Sequence, residues 1–195
     1  PWRIIVGAII AYASQPTMSS HDTLEDWIAQ EREQAARFDA GAGCGVATPD
    51  QVAGMSGLQM LQAMLAGRLP YPPIARTLDF QLVEVDDGRA VFQGTPGPAH
   101  LNPMGGIHGG WYATLLDSAL GCAVHSKMPP GRGYTTAELS VNIVRAIGAK
   151  ASRVRAEGKV LHAGRQLATA EGRLYGPDGT LYAHATTTCL VFEQR

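Results

Sequence analysis

Charge is scarce in this chain: Asp, Glu, Lys and Arg make up 17% of its 195 residues, and the formal net charge is −1. No global field draws such a chain to nucleic acid or to an anionic membrane surface, so both are excluded as expected partners. Cysteine is equally sparse. Cys44, Cys122 and Cys189 lie far apart and form no CxxC or Cys/His pattern. That excludes a disulfide framework and a zinc site and points to a reducing, cytoplasmic setting. No His pair has the helical spacing of metal ligands, and no GxSxG elbow, P-loop or strand-coupled GxGxxG occurs. Serine hydrolases of that kind, nucleotide hydrolases and dinucleotide enzymes are therefore disfavoured, and neither a metal nor another cofactor is expected. Uninterrupted apolar runs are short. Trp2–Ala13 is too short to span a bilayer.

That run does contain Ala11-Tyr12-Ala13, which resembles a signal-peptidase site, but its basic flank is the single Arg3. The preferred reading makes residues 1–17 an upstream extension outside the functional fold, with ordered structure starting after Met18. Hydrophobic residues amount to 45%, enough for one sizeable core in a folded chain of this length.

Residues 18–76 read as a helical arm. Thr23-Leu24-Glu25-Asp26 resembles a capping box opening a helix to about Phe38, with Leu24, Trp27, Ile28 and Ala35 on its inner face. Ser56 opens a second helix, Leu58 to Ala66, stopped by Gly67, with Leu58, Leu61, Met64 and Leu65 inward. Pro70, Pro72 and Pro73 predict an extended connector.

From Thr77 the apolar period becomes two, so residues 77–195 form the main domain. Leu78–Val85 and Arg89–Gly94 flank an Asp86-Asp87-Gly88 hairpin turn. Alternation returns at 138–143, 153–160 and 168–174, and a Gly176-Pro177-Asp178-Gly179 turn precedes a last strand, Leu181–Phe192. One helix interrupts them, from about Gly109 to just before Lys127. Its only formal charge is Asp117, and its apolar residues lie all round, as in a buried helix. The expected fold is α+β: an antiparallel sheet of about six strands wrapped around one buried helix, with the helical arm at its N-terminus. Small residues at even positions from 156 to 172 would let sheet and helix approach closely.

The chemistry should lie where Leu101–Gly110 runs into that helix. Glycines at 105, 106, 109 and 110 expose peptide N–H groups, and the helix N-terminus favours a developing negative charge. An oxyanion hole with the Gly109 N–H as donor is one reading, and a tight turn that merely needs glycine is the other. Asp117 likewise has two readings. A carboxylate inside an uncharged buried helix costs several kcal/mol unless paired or hydrogen-bonded, so it is either satisfied by nearby groups such as Thr114 and Ser118 or kept for chemistry. Asn102 and His108 carry little signal by themselves.

Taken together, Asn102-x5-His108-Gly109-Gly110-x6-Asp117 followed by Gly133-Tyr134-Thr135-Thr136-Ala137-Glu138-Leu139 resembles the PaaI-like branch of hotdog-fold acyl-CoA thioesterases. The resemblance covers roughly 74–192 and is densest over 102–145. It implies a thioester hydrolase in which Asp117 is general base or nucleophile and Gly109 the oxyanion donor. Asn102 and His108 would position water and the thioester carbonyl. Thr136, or Thr135 if the alignment slips by one, would supply an assisting hydroxyl. Gly110, Thr135 and Arg145 would fall on the substrate side, although Lys150, Arg153 and Arg155 are equal candidates for the coenzyme A phosphates. The family commonly has Arg-Pro where this chain has Arg145-Ala146. It also implies a homodimer or homotetramer with active sites at the subunit boundary. The competing readings are a hotdog acyl-thioester dehydratase, whose usual Phe-Pro-Gly-type stretch after the histidine is here Gly109-Gly110-Trp111, and an idle acyl-CoA-binding module. Trp111, Tyr112 and the Pro70–Ile74 connector hint at an apolar or aromatic acyl group.

Overall fold

A computed structural model describes residues 24–148 and 151–194; the expectations for residues 1–17, Thr23 and Lys150 lie outside the described residues. Four helices precede the sheet: α1 (Leu24–Ala40), α2 (Pro49–Val52), α3 (Gly57–Leu65) and α4 (Pro73–Thr77). Strands β1 (Phe80–Asp86) and β2 (Arg89–Gly94) form the expected hairpin, with Gly88 at φ 79° in its turn. A short 3-10 turn (Pro98–His100) then leads to α5 (Gly109–Ser126). The remaining strands are β3 (Arg132–Ile143), β4 (Val154–Ala163), β5 (Leu167–Tyr175) and β6 (Leu181–Glu193). All neighbours are antiparallel, in the order β1-β2-β4-β5-β6-β3, so β1 and β3 are the edges. This curved sheet around one long helix is a hotdog fold.

Close approach of helix and sheet rests on a row of small residues. Ala90, Gly158, Gly172 and Ala185 are successive register partners across β2, β4, β5 and β6. A Cβ at Gly158 would stand 2.5 Å from the Ala119 carbonyl oxygen, and one at Gly172 would stand 3.1 Å from Leu120 Cδ2. The sheet face can therefore meet the helix backbone itself, and Leu115, Leu116, Ala119, Leu120, Ala123 and Val124 are fully buried.

The helix is not buried all round in the single chain. Gly110 is exposed, and Ala113, Thr114, Asp117, Ser118 and Cys122 are half-buried along one flank beside β3. These positions recur at three- and four-residue steps, so they form one continuous stripe.

The arm covers the opposite face of the sheet. Trp27 is fully buried, and the Arg155 guanidinium lies 4.4 Å from its ring centre. Gln93 Nε2 donates to the Trp27 carbonyl at 3.0 Å, and Gln30 Nε2 donates to Val83 at 3.1 Å. The inner face of α1 is Trp27, Gln34 and Phe38, whereas Ala35, expected there, is exposed. Polar Gln34 goes inside because its Nε2 donates to the Leu65 carbonyl at 2.7 Å. Ser56 opens α3 as expected, and does so through a reciprocal capping box with Gln59. Leu61 is buried there as expected and Leu58, Met64 and Leu65 are half-buried. The proline connector is not fully extended, since α4 starts at Pro73, where a first-turn proline is tolerated. It packs on β1, at the edge of the sheet remote from β3.

Candidate active site

The loop before α5 is braced by its own polar groups. Asn102 Oδ1 accepts N–H bonds from Met104 (2.9 Å) and Gly106 (3.1 Å), while the Asn102 N–H donates to the Gly106 carbonyl at 2.7 Å. Gly105, at φ 82°, makes the turn that closes this ring. His108 is the N-cap of α5. Its Nδ1 accepts the Gly110 N–H at 2.9 Å, and its backbone N–H donates to His100 at 2.8 Å. His100 is itself held by stacking on Trp111, with ring centres 5.3 Å apart.

These bonds leave one donor over. Among the described residues the Gly109 N–H has no hydrogen-bond partner, as expected for the first turn of a helix. The Gly110 N–H, by contrast, is taken by His108.

Asp117 lies two turns further on. Its Oδ1 accepts the Thr136 hydroxyl at 3.0 Å, across from β3. Thr135 is exposed on the other face of that strand, so of the two threonines Thr136 meets the carboxylate. Thr114 and Ser118 do not satisfy Asp117; their hydroxyls donate to the Gly110 and Thr114 carbonyls of α5. Among the described residues no Lys, Arg or His forms an ion pair with Asp117. Below it, burial, reinforced by the Asp117 charge, pushes the Cys122 thiol up to about 12, which makes it an inert wall. Burial likewise raises the Tyr134 phenol well above its ordinary range, with smaller contributions from Cys122, Cys189 and Asp117.

The structure thus forms two clusters from the expected residues: Asn102, His108, Gly109 and Gly110 at the start of α5, and Asp117 with Thr136 at its middle. They are not one cluster within the chain. Gly109 and Asp117 are eight residues apart, about 12 Å along a helix. Three other expectations are corrected. Trp111 and Tyr112 are buried in the core, where Trp111 Nε1 donates to Leu78 at 2.8 Å and the Tyr112 hydroxyl accepts the Ile147 N–H at 2.7 Å. The Pro70–Ile74 connector lies toward the β1 edge rather than at Asp117. Arg153 and Arg155 are both engaged elsewhere: Arg153 binds Glu31 of the arm at 2.6 and 2.9 Å, and Arg155 binds Gln30 of the arm together with Gln93 and Glu84 of the sheet. Arg145 is exposed at the end of β3, with its backbone N–H on the Tyr182 carbonyl at 3.1 Å. Among the described residues no group of His, Cys, Asp and Glu converges as a metal site would, and no helix is long and apolar enough to cross a membrane.

Residues 104–183 match the family model of the thioesterase superfamily. Solved structures agree along most of their own lengths. A thioesterase family protein from Silicibacter pomeroyi is 28% identical with a TM-score of 0.57, and the match covers 62% of this chain and 90% of that one. A mutant of the phenylacetic acid degradation protein PaaI from Thermus thermophilus is also 28% identical, with a TM-score of 0.55 over 60% of this chain and 97% of that one. A hypothetical thioesterase protein from Streptococcus pneumoniae, solved with coenzyme A, is 26% identical with a TM-score of 0.55 over 62% of this chain and 93% of that one. No curated protein matches the chain. The fold is a hotdog fold, and the match to the thioesterase superfamily model together with these neighbours supports thioester hydrolysis as the reaction class. In sequence and fold the chain is similar to PaaI-like proteins of that superfamily.

Proposed function

We propose that the protein hydrolyses acyl-coenzyme A to the free acid and coenzyme A, with Asp117 as the reacting carboxylate. The observation that carries this reading is the Asp117–Thr136 pair: a half-buried carboxylate with one hydroxyl donor at 3.0 Å and no cation, on a helix whose first N–H is unbonded. A structural aspartate on a buried helix would be expected to use up its hydrogen-bonding capacity on neighbours.

A thioester needs little help at its leaving group, because a thiolate departs readily. It needs a nucleophile at the carbonyl carbon and a donor for the oxygen. In the reaction proposed here Asp117 takes a proton from water as the water oxygen bonds to the carbonyl carbon. The carbonyl electron pair moves to oxygen, where a Gly109 N–H stabilises it. On return of that pair the carbon–sulfur bond breaks and coenzyme A leaves as the thiolate. Thr136 fixes one carboxylate oxygen so that the other faces substrate. Attack by the carboxylate itself, followed by hydrolysis of the anhydride, uses the same atoms. Asn102 and His108 act by shaping the loop that presents the Gly109 N–H.

Because about 12 Å separates Gly109 from Asp117 on one helix, a single carbonyl cannot touch both. A second copy of the chain resolves this. Strand β3 is an edge, its Ile143 end touches the Gly109 region (3.2 Å from a Cβ built there), and its Thr136 end touches Asp117. An antiparallel β3 from a second copy would bring the partner's Ile143 end, and with it the partner's Gly109, beside Asp117. It would also cover an unpaired edge twelve residues long. The functional unit is thus proposed to be a homodimer with two shared sites. The coenzyme A found in the Streptococcus pneumoniae neighbour supports this ligand class. Incubation with a panel of acyl-coenzyme A thioesters, read by thiol release, tests the function. Release with at least one acyl group is expected, and binding without release would instead identify an acyl-CoA-binding module.

A further inference from the structure

Thr136 sits at a break in its strand. From Arg132↔Glu193 to Thr136↔Cys189, β3 and β6 advance one residue against one, and they do so again from Glu138↔Thr188 to Ile143↔Ala183. Between the two runs β3 takes two steps where β6 takes one, and Ala137 is the extra residue. β6 does not share in the change: Ala183, Ala185, Thr187, Cys189 and Val191 are buried in unbroken alternation. The irregularity is therefore a β-bulge in β3 alone.

Side chains alternate along a strand, so a one-residue offset exchanges the faces of everything beyond it. Continued without the bulge, the pairing that ends at Glu138↔Thr188 would set Ala137 opposite Cys189 and Thr136 opposite Leu190. Leu190 belongs to the outer face and is 51% exposed. Thr136 would then point away from α5, and Ala137, in its place, has no hydroxyl to offer. The bulge is what gives Asp117 its donor at 3.0 Å.

A bulge disrupts the ladder, so the backbone there needs partners from elsewhere. Thr187 is such a partner. Its side chain is 2% exposed, and its hydroxyl donates at 2.7 Å to the carbonyl of Glu138, the first residue past the bulge. The other inner-face positions of β6 from Ala183 to Val191 carry no hydroxyl. A valine would occupy similar space with no polar atom to satisfy, so the buried hydroxyl has its reason in the carbonyl it binds. Thr187 Oγ1 also lies 3.9 Å from the Sγ of Cys189, the register partner of Thr136. Burial raises that thiol, so the floor beneath Thr136 stays uncharged.

We propose that Thr187 is a positioning residue for the reaction: by holding the β3 bulge it keeps Thr136 turned toward Asp117, and so keeps the carboxylate aligned for attack. The proposal rests on the hydrolase reading above, with Asp117 and Thr136 as its pair. Thr187 itself meets neither the carboxylate nor substrate, so its loss should appear in kcat and not in KM.

The test uses the full chain and an acyl-coenzyme A that it cleaves. Thr187→Val and Thr187→Ala remove the hydroxyl with different shapes, and circular dichroism identifies which variants fold. In these kcat should fall about tenfold, the upper end of what one hydrogen bond is worth, with KM within about twofold of the parent. Thr187→Ser keeps the hydroxyl and should stay within about twofold of the parental kcat. Thr136→Val should lose at least as much as Thr187→Val, and the two together should lose no more than Thr136→Val alone, because both act through one bond to Asp117. An unaltered kcat in the folded Thr187 variants, an effect confined to KM, a serine variant no better than valine, a silent Thr136→Val, or additive losses in the double variant each overturn the proposal and leave the hydrolase reading intact. A parent inactive toward every acyl-coenzyme A overturns the hydrolase reading itself.

Discussion

The two faces of the sheet treat charge in opposite ways. On the outer face Arg155 is almost fully buried, yet it meets Gln93 at 2.9 Å, Glu84 at 3.2 Å and the face of Trp27, while Gln30 also accepts from it. Arg153 beside it is paired with Glu31, and Arg89 with Glu84, Asp86 and Glu157. On the inner face Asp117 has one hydroxyl and no cation. Charges that hold a structure together are matched, because an unmatched buried charge is costly. Among these described residues, the one left unmatched, on a helix whose first N–H is free, is the one to associate with chemistry.

Removing each centre should therefore have opposite consequences. Asp117→Asn keeps the side chain's shape and removes the base. Turnover is expected to fall by roughly 10²–10⁴-fold while the melting temperature stays level or rises, since a poorly compensated charge has gone. Arg155→Ala should do the reverse. It leaves Glu84, Gln93 and the Trp27 ring without their shared cation, and a loss of about 3–5 kcal/mol is expected by denaturant titration, with turnover per folded molecule largely kept. A stable Arg155→Ala protein, or a markedly destabilised Asp117→Asn, would erase the contrast between the faces.

A smaller effect separates the two faces by pH. Burial lowers His125, so the folded state resists protonating it while the unfolded state does not. As pH drops below the ordinary histidine value of about 6.5 the unfolded chain binds the extra proton, so stability declines and levels off below the folded-state value. Glu157 acts lower down. Burial alone would raise it, but its bond and charge contact with Arg89 hold it below the ordinary carboxylate value. Its contribution is present above about pH 4.3 and is lost as pH falls through the folded-state value. Melting curves of the parent and His125→Gln from pH 8 to 5 should diverge as pH falls from about 6.5 toward the lower folded-state value of His125, the variant being the flatter there. Parallel curves would remove His125 from the account.

Much of this was legible in the sequence, and the reasons differ from element to element. The α5 boundaries could be read from Gly109 and Pro129-Pro130, and the β1–β2 turn from Asp87-Gly88, because those residues act locally. Thr136 was one of two candidates, and only strand alternation around the irregularity between Thr136 and Glu138 separates it from Thr135. The roles of Arg153 and Arg155 were not legible. Sequence marks them as surface cations on an alternating strand, and their partners Glu31 and Gln30 are more than 120 residues away in α1. The inner face of α1 was misjudged for a related reason. Gln34 faces α3 and Glu31 faces the sheet because polar partners wait there, the Leu65 carbonyl for one and the Gln93 and Arg153 side chains for the other, which apolar periodicity does not register. The structure also separates the loop cluster from Asp117, something a motif written as one string conceals.

That separation is the centre of the account, and subunit mixing tests it most directly. Gly109→Pro deletes the one unbonded N–H while suiting the first helical position, and the extended backbone of His108 (ψ 134°) accommodates a following proline. By itself this variant should lose about 10²–10³-fold in turnover, and Asp117→Asn at least as much. Unfolded together and refolded at equal concentrations, the two should regain roughly a quarter of parental turnover, because half the dimers are mixed and half their sites carry both an intact Asp117 and an intact Gly109. No recovery in a mixture shown to contain mixed dimers would contradict a site shared between two chains.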